Sequence, residues 1–278
     1  NGGHSFSVEK PVIQRGEYTI AHPFAEVWSD RNPLSYGDRI GRPLRTRRGH
    51  ILQPVQYSPL DKDGKRYNPN RTLTYSESAV LIGSWTNGTE IDWQLSQRVA
   101  NDPTRSSRGA LEPTIAELPD GRILMVMRGS NDRLAGQPGR KWYSLSDDGG
   151  FTWTSIQPWT YHGGDGFYSP SSCSQLVPHS SGRIYWIGNI VKTNPRGNLP
   201  RHPLVVGRVH PESGLLIRES IVVITDREPG ENDGVLLSNF VAHEDRETLE
   251  ILLHMSRPFS TGPGVWTSPA YLYRIAVP

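Results

Sequence analysis

A turn glycine followed directly by a short apolar run recurs along the chain, and this recurrence constrains the fold more than any other feature. Three copies are centred on Gly49, Gly121 and Gly182, at spacings of 72 and 61 residues. A fourth, near residues 245–253, keeps the apolar run but lacks the glycine. Glycine suits a tight hairpin because it tolerates positive φ. Repetition of one hairpin-rich unit at such intervals is typical of a β-propeller with long loops.

Short runs rich in β-forming residues fill the rest of the chain, and no long stretch carries a helical apolar periodicity. Most runs end at Gly, Pro, Asn or Asp, the pattern of strands joined by turns. We therefore predict an all-β propeller that forms a single domain over residues 1–278, with four visible blades and a candidate fifth in residues 1–40. The predicted strands lie at 51–52, 79–82, 122–127, 183–187, 204–209, 221–224, 249–253 and 271–275.

The composition argues against several classes of function. The formal net charge is only +2, so no nucleic acid partner is expected. The one cysteine, Cys173, allows no intrachain disulfide, and no apolar run is long enough to span a membrane. No metal-binding pattern is present, and we expect neither metal nor cofactor. Because the chain begins at Asn1 and not at methionine, we expect a processed, secreted or periplasmic protein, of unassigned oligomeric state.

The sharpest motif is Ser146-Asp-Asp148-Gly-Gly150-Phe-Thr152-Trp153, which matches the Asp-box pattern S-x-D-x-G-x-T-W at every defined position. The aspartate side chain suits a turn because it can accept backbone N–H bonds. The tryptophan suits packing beneath that turn. We therefore predict a structural role for Asp148 and not a catalytic one.

The Asp-box and the stretch from Glu112-Pro-Thr-Ile to Val-Met-Arg128 together resemble the sialidase (neuraminidase) superfamily of BNR-repeat propellers. The resemblance covers roughly residues 40–275 and implies six blades, so either this propeller is smaller or N-terminal blades are missing. In that family a glutamate polarises a nucleophilic tyrosine, and three arginines clamp the substrate carboxylate. By this resemblance Glu112 takes the glutamate's role and Arg128, 16 residues later, that of a clamp arginine. Arg201 fits the third clamp position, with Arg196 as the weaker choice.

The arginine assignment has a physical rationale, because a planar guanidinium group matches a carboxylate bidentately. We expect Arg128 and Arg201 to converge near the propeller axis, with Glu112 close by. The sequence also departs from the family. In Val235-Leu-Leu237-Ser-Asn-Phe240, Leu237 stands where the family has its tyrosine. The family's first clamp arginine and its early aspartic acid have no visible counterpart.

A glycine-rich loop at residues 161–172 carries further candidates. His162 and Asp165 are candidate catalytic residues, since histidine suits proton transfer near neutral pH. Tyr168 is a candidate substrate-binding residue, and either it or Tyr161 is a candidate replacement for the absent tyrosine. The alternative is a blade-connecting turn in which these residues serve geometry. His50 and His202 are weaker site candidates.

The sequence is compatible with three functions, each with an acidic oligosaccharide or polysaccharide as the ligand. The first is a sialidase-like glycoside hydrolase acting on a carboxylate-bearing sugar. The second is a propeller polysaccharide lyase acting on uronic acids, in which His162 and Arg128 would serve as base and carboxylate neutraliser. The third is a non-catalytic sugar-binding propeller, which the leucine at position 237 supports.

Overall fold

The computed structural model describes residues 4–5, 34–36, 41–88 and 90–277. Within this part of the chain, sixteen β-strands form four antiparallel sheets in a propeller arrangement, and the described residues hold one turn of 3-10 helix (Arg218–Ser220). The predicted all-β propeller is therefore confirmed. Most of the candidate fifth blade in residues 1–40 lies outside the described residues.

Each sheet is one blade, and in the last three blades the strands follow one another in chain order. Blade I contains β1 (Leu34–Ser35), β2 (Leu44–Arg45), β3 (Ile51–Tyr57), β4 (Glu77–Trp85) and β5 (Ile91–Leu95). Blade II contains β6 (Leu111–Glu117), β7 (Ile123–Arg128), β8 (Lys141–Ser146) and β9 (Gln157–Pro158). Blade III contains β10 (Gln175–Pro178), β11 (Ile184–Asn189), β12 (Leu204–Arg208) and β13 (Val222–Thr225). Blade IV contains β14 (Phe240–Glu244), β15 (Ile251–Ser256) and β16 (Ala270–Ile275).

The recurrent glycine occupies a turn between consecutive paired strands: β2 and β3 in blade I, β6 and β7 in blade II, and β10 and β11 in blade III. Gly49, Gly121 and Gly182 have φ of 89°, 92° and 80°, a conformation that glycine adopts at no steric cost. In blade IV the turn is one residue longer, and Leu249 takes the left-handed conformation at φ 58°. The predicted strand at 249–253 consequently begins later, at Ile251, because Leu249 belongs to the turn.

Apolar side chains between neighbouring blades form the core. The first strands of blades II, III and IV contact one another in sequence, so β6, β10 and β14 lie innermost. Burial of these faces supplies most of the favourable free energy of folding. Between blades I and II the core includes Leu52, Val80, Ile123 and Met125; between II and III, Leu124, Trp159 and Trp186; between III and IV, Ile187, Val206, Leu237 and Leu253.

The Asp-box forms the turn after β8 and ties blade II to blade I. Asp148 accepts hydrogen bonds from the backbone N–H groups of Phe151 (2.9 Å) and Thr152 (3.0 Å) and from the hydroxyl groups of Ser146 (2.8 Å) and Thr152 (2.6 Å). Trp153 is 8% exposed and packs in the core between these blades. Burial opposes ionisation, but these hydrogen bonds outweigh it and hold the pKa of Asp148 below its ordinary value.

Replacing Asp148 with alanine is expected to destabilise the fold by about 2–3 kcal/mol, because several hydrogen bonds to one carboxylate are lost. The depressed pKa means that this stabilisation is present above about pH 4 and is lost as the pH falls through the folded-state pKa. Urea denaturation measures the change, and Asp147→Ala, at the exposed neighbouring position, is the control. A variant of unchanged stability that no longer bound ligand would contradict the structural role.

A buried tyrosine–glutamate pair joins β3 and β4 in blade I. The Tyr57 hydroxyl donates to Oε2 of Glu77 at 2.9 Å, and Nε of Arg98 lies 3.7 Å from the same oxygen. Tyr57 is 1% exposed. Burial raises the pKa of Glu77 to about 7, so this carboxyl group resists ionisation in the folded protein.

We expect Glu77→Gln to stabilise the protein at pH 8 by up to about 3 kcal/mol, because the pKa is raised from 4.5 to about 7 and one pKa unit corresponds to about 1.4 kcal/mol. The raised pKa implies that the wild type is favoured below about pH 4.5 and loses this stability as the pH rises through about 7. Denaturation at pH 5 and pH 8 should show the loss in the wild type and in Glu247→Gln, an exposed control, but not in Glu77→Gln. Equal pH dependence in all three proteins would rule out a raised pKa at Glu77.

Candidate active site

Two of the predicted site residues lie at the same end of blade II. Glu112 is the second residue of β6, Arg128 is the last residue of β7, and the register pairs Leu111 with Arg128. The antiparallel hairpin therefore brings residues 16 positions apart in sequence to one edge of the sheet.

The backbone at Glu112 is irregular in a way that aims its side chain. The register of β6 against β7 shifts between Leu111 and Thr114, which is a β-bulge. Glu112 has φ 46°, and its backbone N–H donates to Oε1 of Gln56 in blade I at 2.7 Å. Bulges often re-aim a side chain next to a functional site, and a strained non-glycine residue persists only where its surroundings enforce it.

Arg128 is 6% exposed and is held by three side chains. Its Nη1 lies 2.6 Å from Oε1 of Glu112, with both side chains at most 10% exposed. Its Nε donates to Oγ of Ser171 at 3.0 Å, and its Nη2 donates to Oδ1 of Asn198 at 3.1 Å. The other glutamate oxygen, Oε2, is buried and has no hydrogen-bond partner among the described residues. A buried polar atom without a partner calls for an explanation, and a group that binds or reacts with a ligand is one such explanation.

Arg201 precedes β12 and is 8% exposed. It donates to the backbone oxygens of Asn198 (3.1 Å) and Ser171 (3.4 Å), and to Oγ of Ser238 (3.0 Å) and Oδ1 of Asn239 (3.4 Å). Arg128 and Arg201 thus share two neighbours, Ser171 and Asn198. The structure brings Arg128, Arg201 and Glu112 together as one cluster.

Two further cations surround this cluster, and sequence reasoning missed both. Arg108 donates to Oγ1 of Thr74 at 3.0 Å, and its pKa is lowered to about 10, first by burial and then by repulsion from Arg128. Lys141 is fully buried, and its Nζ donates to the backbone oxygens of Pro170 and Ser172. Burial, and then Arg128, lower its pKa to about 7. A site with this many cations favours an anionic ligand.

Leu237 does not line the cluster. Its side chain is fully buried in the core between blades III and IV. Its backbone N–H donates to the carbonyl oxygen of Arg201 at 3.2 Å, and the residues that reach Arg201 by their side chains are the next two, Ser238 and Asn239. Within the described part of the chain, no tyrosine hydroxyl is hydrogen-bonded to Glu112.

His162 and Asp165 lie at the outer part of the neighbouring blade. Nδ1 of His162 is 3.0 Å from Oγ of Ser213, and its ring stacks on His210 with centroids 3.7 Å apart. Asp165 is exposed and pairs with Arg218 at 2.7 Å. These partners lie between β12 and β13, and no contact described here joins either residue to Arg128 or Arg201.

The remaining candidates are dispersed. Tyr168 is 39% exposed, and its backbone forms an antiparallel bridge with Val191. Arg196 is exposed and pairs through its backbone with Leu199. His202 lies 3.2 Å from Asp226, and His50 packs edge-on against Phe151.

The described residues contain neither a membrane-spanning helix nor a metal-binding cluster. None of the helical segments is both long and apolar enough to cross a membrane. In the same residues, no group of three or more His, Cys, Asp or Glu side chains is placed to hold a metal ion.

The family model for the BNR repeat-like domain matches residues 25–256, most of the chain. The protein therefore belongs to the BNR repeat-like family, consistent with its Asp-box and its propeller blades. No curated protein sequence matches it.

Two solved structures illustrate the likeness of fold. A protein of unknown function from Dyadobacter fermentans is 16% identical, with a TM-score of 0.52 over 85% of this chain and 53% of that one. The NanB sialidase from Streptococcus pneumoniae is 19% identical, with a TM-score of 0.52 over 84% of this chain and 30% of that one. The chain thus spans about half, or less, of the length of these structures, and the likeness concerns the fold.

Proposed function

We propose that this protein is a carbohydrate-active propeller that binds the carboxylate of an acidic sugar at Arg128 and Arg201. The observation that carries the proposal is the convergence of two buried guanidinium groups on Ser171 and Asn198, beside a buried carboxylate. Two guanidinium groups that share Ser171 and Asn198 as neighbours can bind one carboxylate, and Arg108 adds positive charge nearby. That a fold neighbour is a sialidase supports a sugar as the ligand.

Within this class we propose a glycoside hydrolase in which Glu112 is the reacting group. Its Oε2 is buried without a hydrogen-bond partner beside the arginine that would hold the sugar. From this position beside Arg128, the Glu112 carboxylate would act as a base towards water or stabilise a cationic transition state. Because Leu237 lies in the core, no nucleophilic tyrosine is proposed.

A uronate lyase is the second candidate, and one observation favours it. Glu112 is 2.6 Å from the guanidinium group proposed to bind the carboxylate, so it lies close to where the adjacent carbon of a uronic acid would sit. A base there removes the proton next to the carboxylate, and the arginines stabilise the negative charge that develops. The electron pair then forms the double bond as the glycosidic oxygen on the following carbon leaves and takes a proton from water. His162, in contrast, contacts Ser213 and His210.

A purified-protein assay separates these activities. The panel contains an aryl sialoside, other aryl glycosides, and uronate polymers followed by the absorbance of an unsaturated product. We expect negligible turnover of the aryl sialoside and hydrolysis of another acidic glycoside. Formation of an unsaturated product would show that the protein is a lyase and would contradict the hydrolase proposal. Binding without turnover across the whole panel would contradict both and leave a sugar-binding protein.

A further inference from the structure

Beside the arginine pair runs a groove that the proposed chemistry does not use. Two neighbouring cavities of about 420 Å³ and 680 Å³ share the residues Gly166, Phe167 and Tyr168 as a common wall. We name the two together the Tyr168 groove. Their volumes fall within the range of ordinary ligand pockets.

The groove combines aromatic surface with a net positive charge, because three basic residues (Arg140, Lys192 and Arg218) and one acidic residue (Asp226) line it. Tyr168 is 39% exposed although its side chain is largely apolar, and Phe167 and Tyr161 continue the aromatic wall. Arg140 lines the first cavity and Lys192 the second, whereas Arg218 is already paired with Asp165. An aromatic ring packs well against the C–H face of a sugar, and a nearby cation attracts an acidic substituent.

Two chain segments connect the groove directly to the arginine pair. Tyr168 is three residues before Ser171, which contacts both arginines, and three residues span at most about 10 Å. Asn194 lines the groove, and Asn198, four residues later, accepts a hydrogen bond from Arg128. Ligand groups in the groove and at the arginine pair are therefore within reach of one short chain of sugars.

The wall between the two places is firmly held. Nδ2 of Asn131 donates to the backbone oxygen of Pro195 at 2.7 Å, and its Oδ1 accepts from the backbone N–H of Gly197 at 2.8 Å. Oδ1 of Asn194 accepts from the backbone N–H of Gly139 at 2.8 Å. A wall fixed in this way gives a preformed site, which lowers the entropy cost of binding.

We propose that the Tyr168 groove binds the sugars adjacent to the one whose carboxylate lies at Arg128 and Arg201. The ligand is then an acidic oligosaccharide or polysaccharide and not a single sugar acid. This inference rests on the proposed carboxylate site and adds the neighbouring subsite to it.

The test measures affinity against chain length by calorimetry. The probes are a uronic acid monosaccharide and its di-, tetra- and hexasaccharides, with sialic acid oligomers as a second series. For the wild type we expect the tetrasaccharide to bind at least about tenfold more tightly than the monosaccharide, since stacking and ion pairing contribute about 1.4 kcal/mol together. Tyr168→Ala should abolish most of this gain and leave monosaccharide affinity unchanged. Tyr271→Ala, which removes a tyrosine of 40% exposure from blade IV, should behave as the wild type.

Equal affinity for all chain lengths in the wild type would overturn the groove and leave the arginine site standing. A gain with length that survives in Tyr168→Ala would also overturn it. Oligomers that gain affinity through Tyr168, but lose none in Arg128→Met/Glu112→Gln, would contradict the carboxylate site and keep the groove. Absence of binding by any probe would contradict both.

Discussion

Removing Arg128 together with its partner is expected to weaken binding of an acidic sugar by about two orders of magnitude. The double variant Arg128→Met/Glu112→Gln avoids stranding a buried charge, which by itself would cost about 3–5 kcal/mol of stability. Methionine offers no donor to a carboxylate, so the contact is lost. Loss of a buried charge-assisted contact costs about 2–5 kcal/mol of binding free energy, and each 1.4 kcal/mol raises Kd about tenfold.

The matched control removes another buried arginine–glutamate pair. Arg257 follows β15 and pairs with Glu231, with side-chain exposures of 5% and 15%. Its contacts, Thr225, Asp226 and Tyr273, are distinct from those of Arg128. Arg257→Met/Glu231→Gln should keep its affinity for the sugar acid. Similar affinity losses in both double variants would indicate a general loss of structure. Unchanged affinity in both would contradict carboxylate binding by Arg128.

The second large effect is expected for Glu112→Gln alone. Glutamine has nearly the same shape and can still accept the hydrogen bond from Arg128, so the geometry of the arginine pair should persist. The loss of its charge partner should lower stability, so turnover is measured well below the melting temperature of the variant. Turnover of the substrate that the activity panel identifies should fall by about 10²–10⁴, the usual contribution of a positioned acid–base group. Affinity should stay the same or rise, because a carboxylate that competes with the ligand for Arg128 is gone.

Glu117→Gln is the appropriate control for this variant. Glu117 closes the same strand, β6, and its carboxylate also pairs with an arginine, Arg47, at 3.2 Å. Glu117 lies at the opposite end of the strand from Glu112, so turnover by the Glu117→Gln variant should match that of the wild type. Unchanged turnover in Glu112→Gln would show that another group reacts, and loss of binding in that variant would show that Glu112 positions the ligand.

The blade pattern could be predicted because it depends on local chemistry. A turn that requires positive φ selects glycine, and Gly49, Gly121 and Gly182 mark three blades by themselves. The fourth turn shows the limit of that rule, since one extra residue lets Leu249 occupy the left-handed position. The innermost strands β6, β10 and β14 are not evident from hydrophobic alternation, because they carry polar residues such as Gln175 among buried positions.

The arginine–glutamate cluster could be anticipated only through resemblance to a family pattern. Ser171 and Asn198 lie on irregular segments whose course is set by contacts between blades, and no local periodicity reports such contacts. Lys141 opens a strand and is buried by residues 29 and 31 positions away. Arg108, four residues before Glu112, gives no signal in sequence because its proximity to Arg128 arises from packing between blades I and II.

The most direct test of the central claim is a crystal structure of the protein with a bound sugar acid. We expect the carboxylate of the sugar to lie between Arg128 and Arg201, with its oxygens about 2.7–2.9 Å from guanidinium nitrogens of both residues. We also expect Glu112 to face the sugar through Oε2. A sugar bound elsewhere, or a carboxylate that contacts neither arginine while the Arg128–Glu112 pair stays intact, would contradict the account.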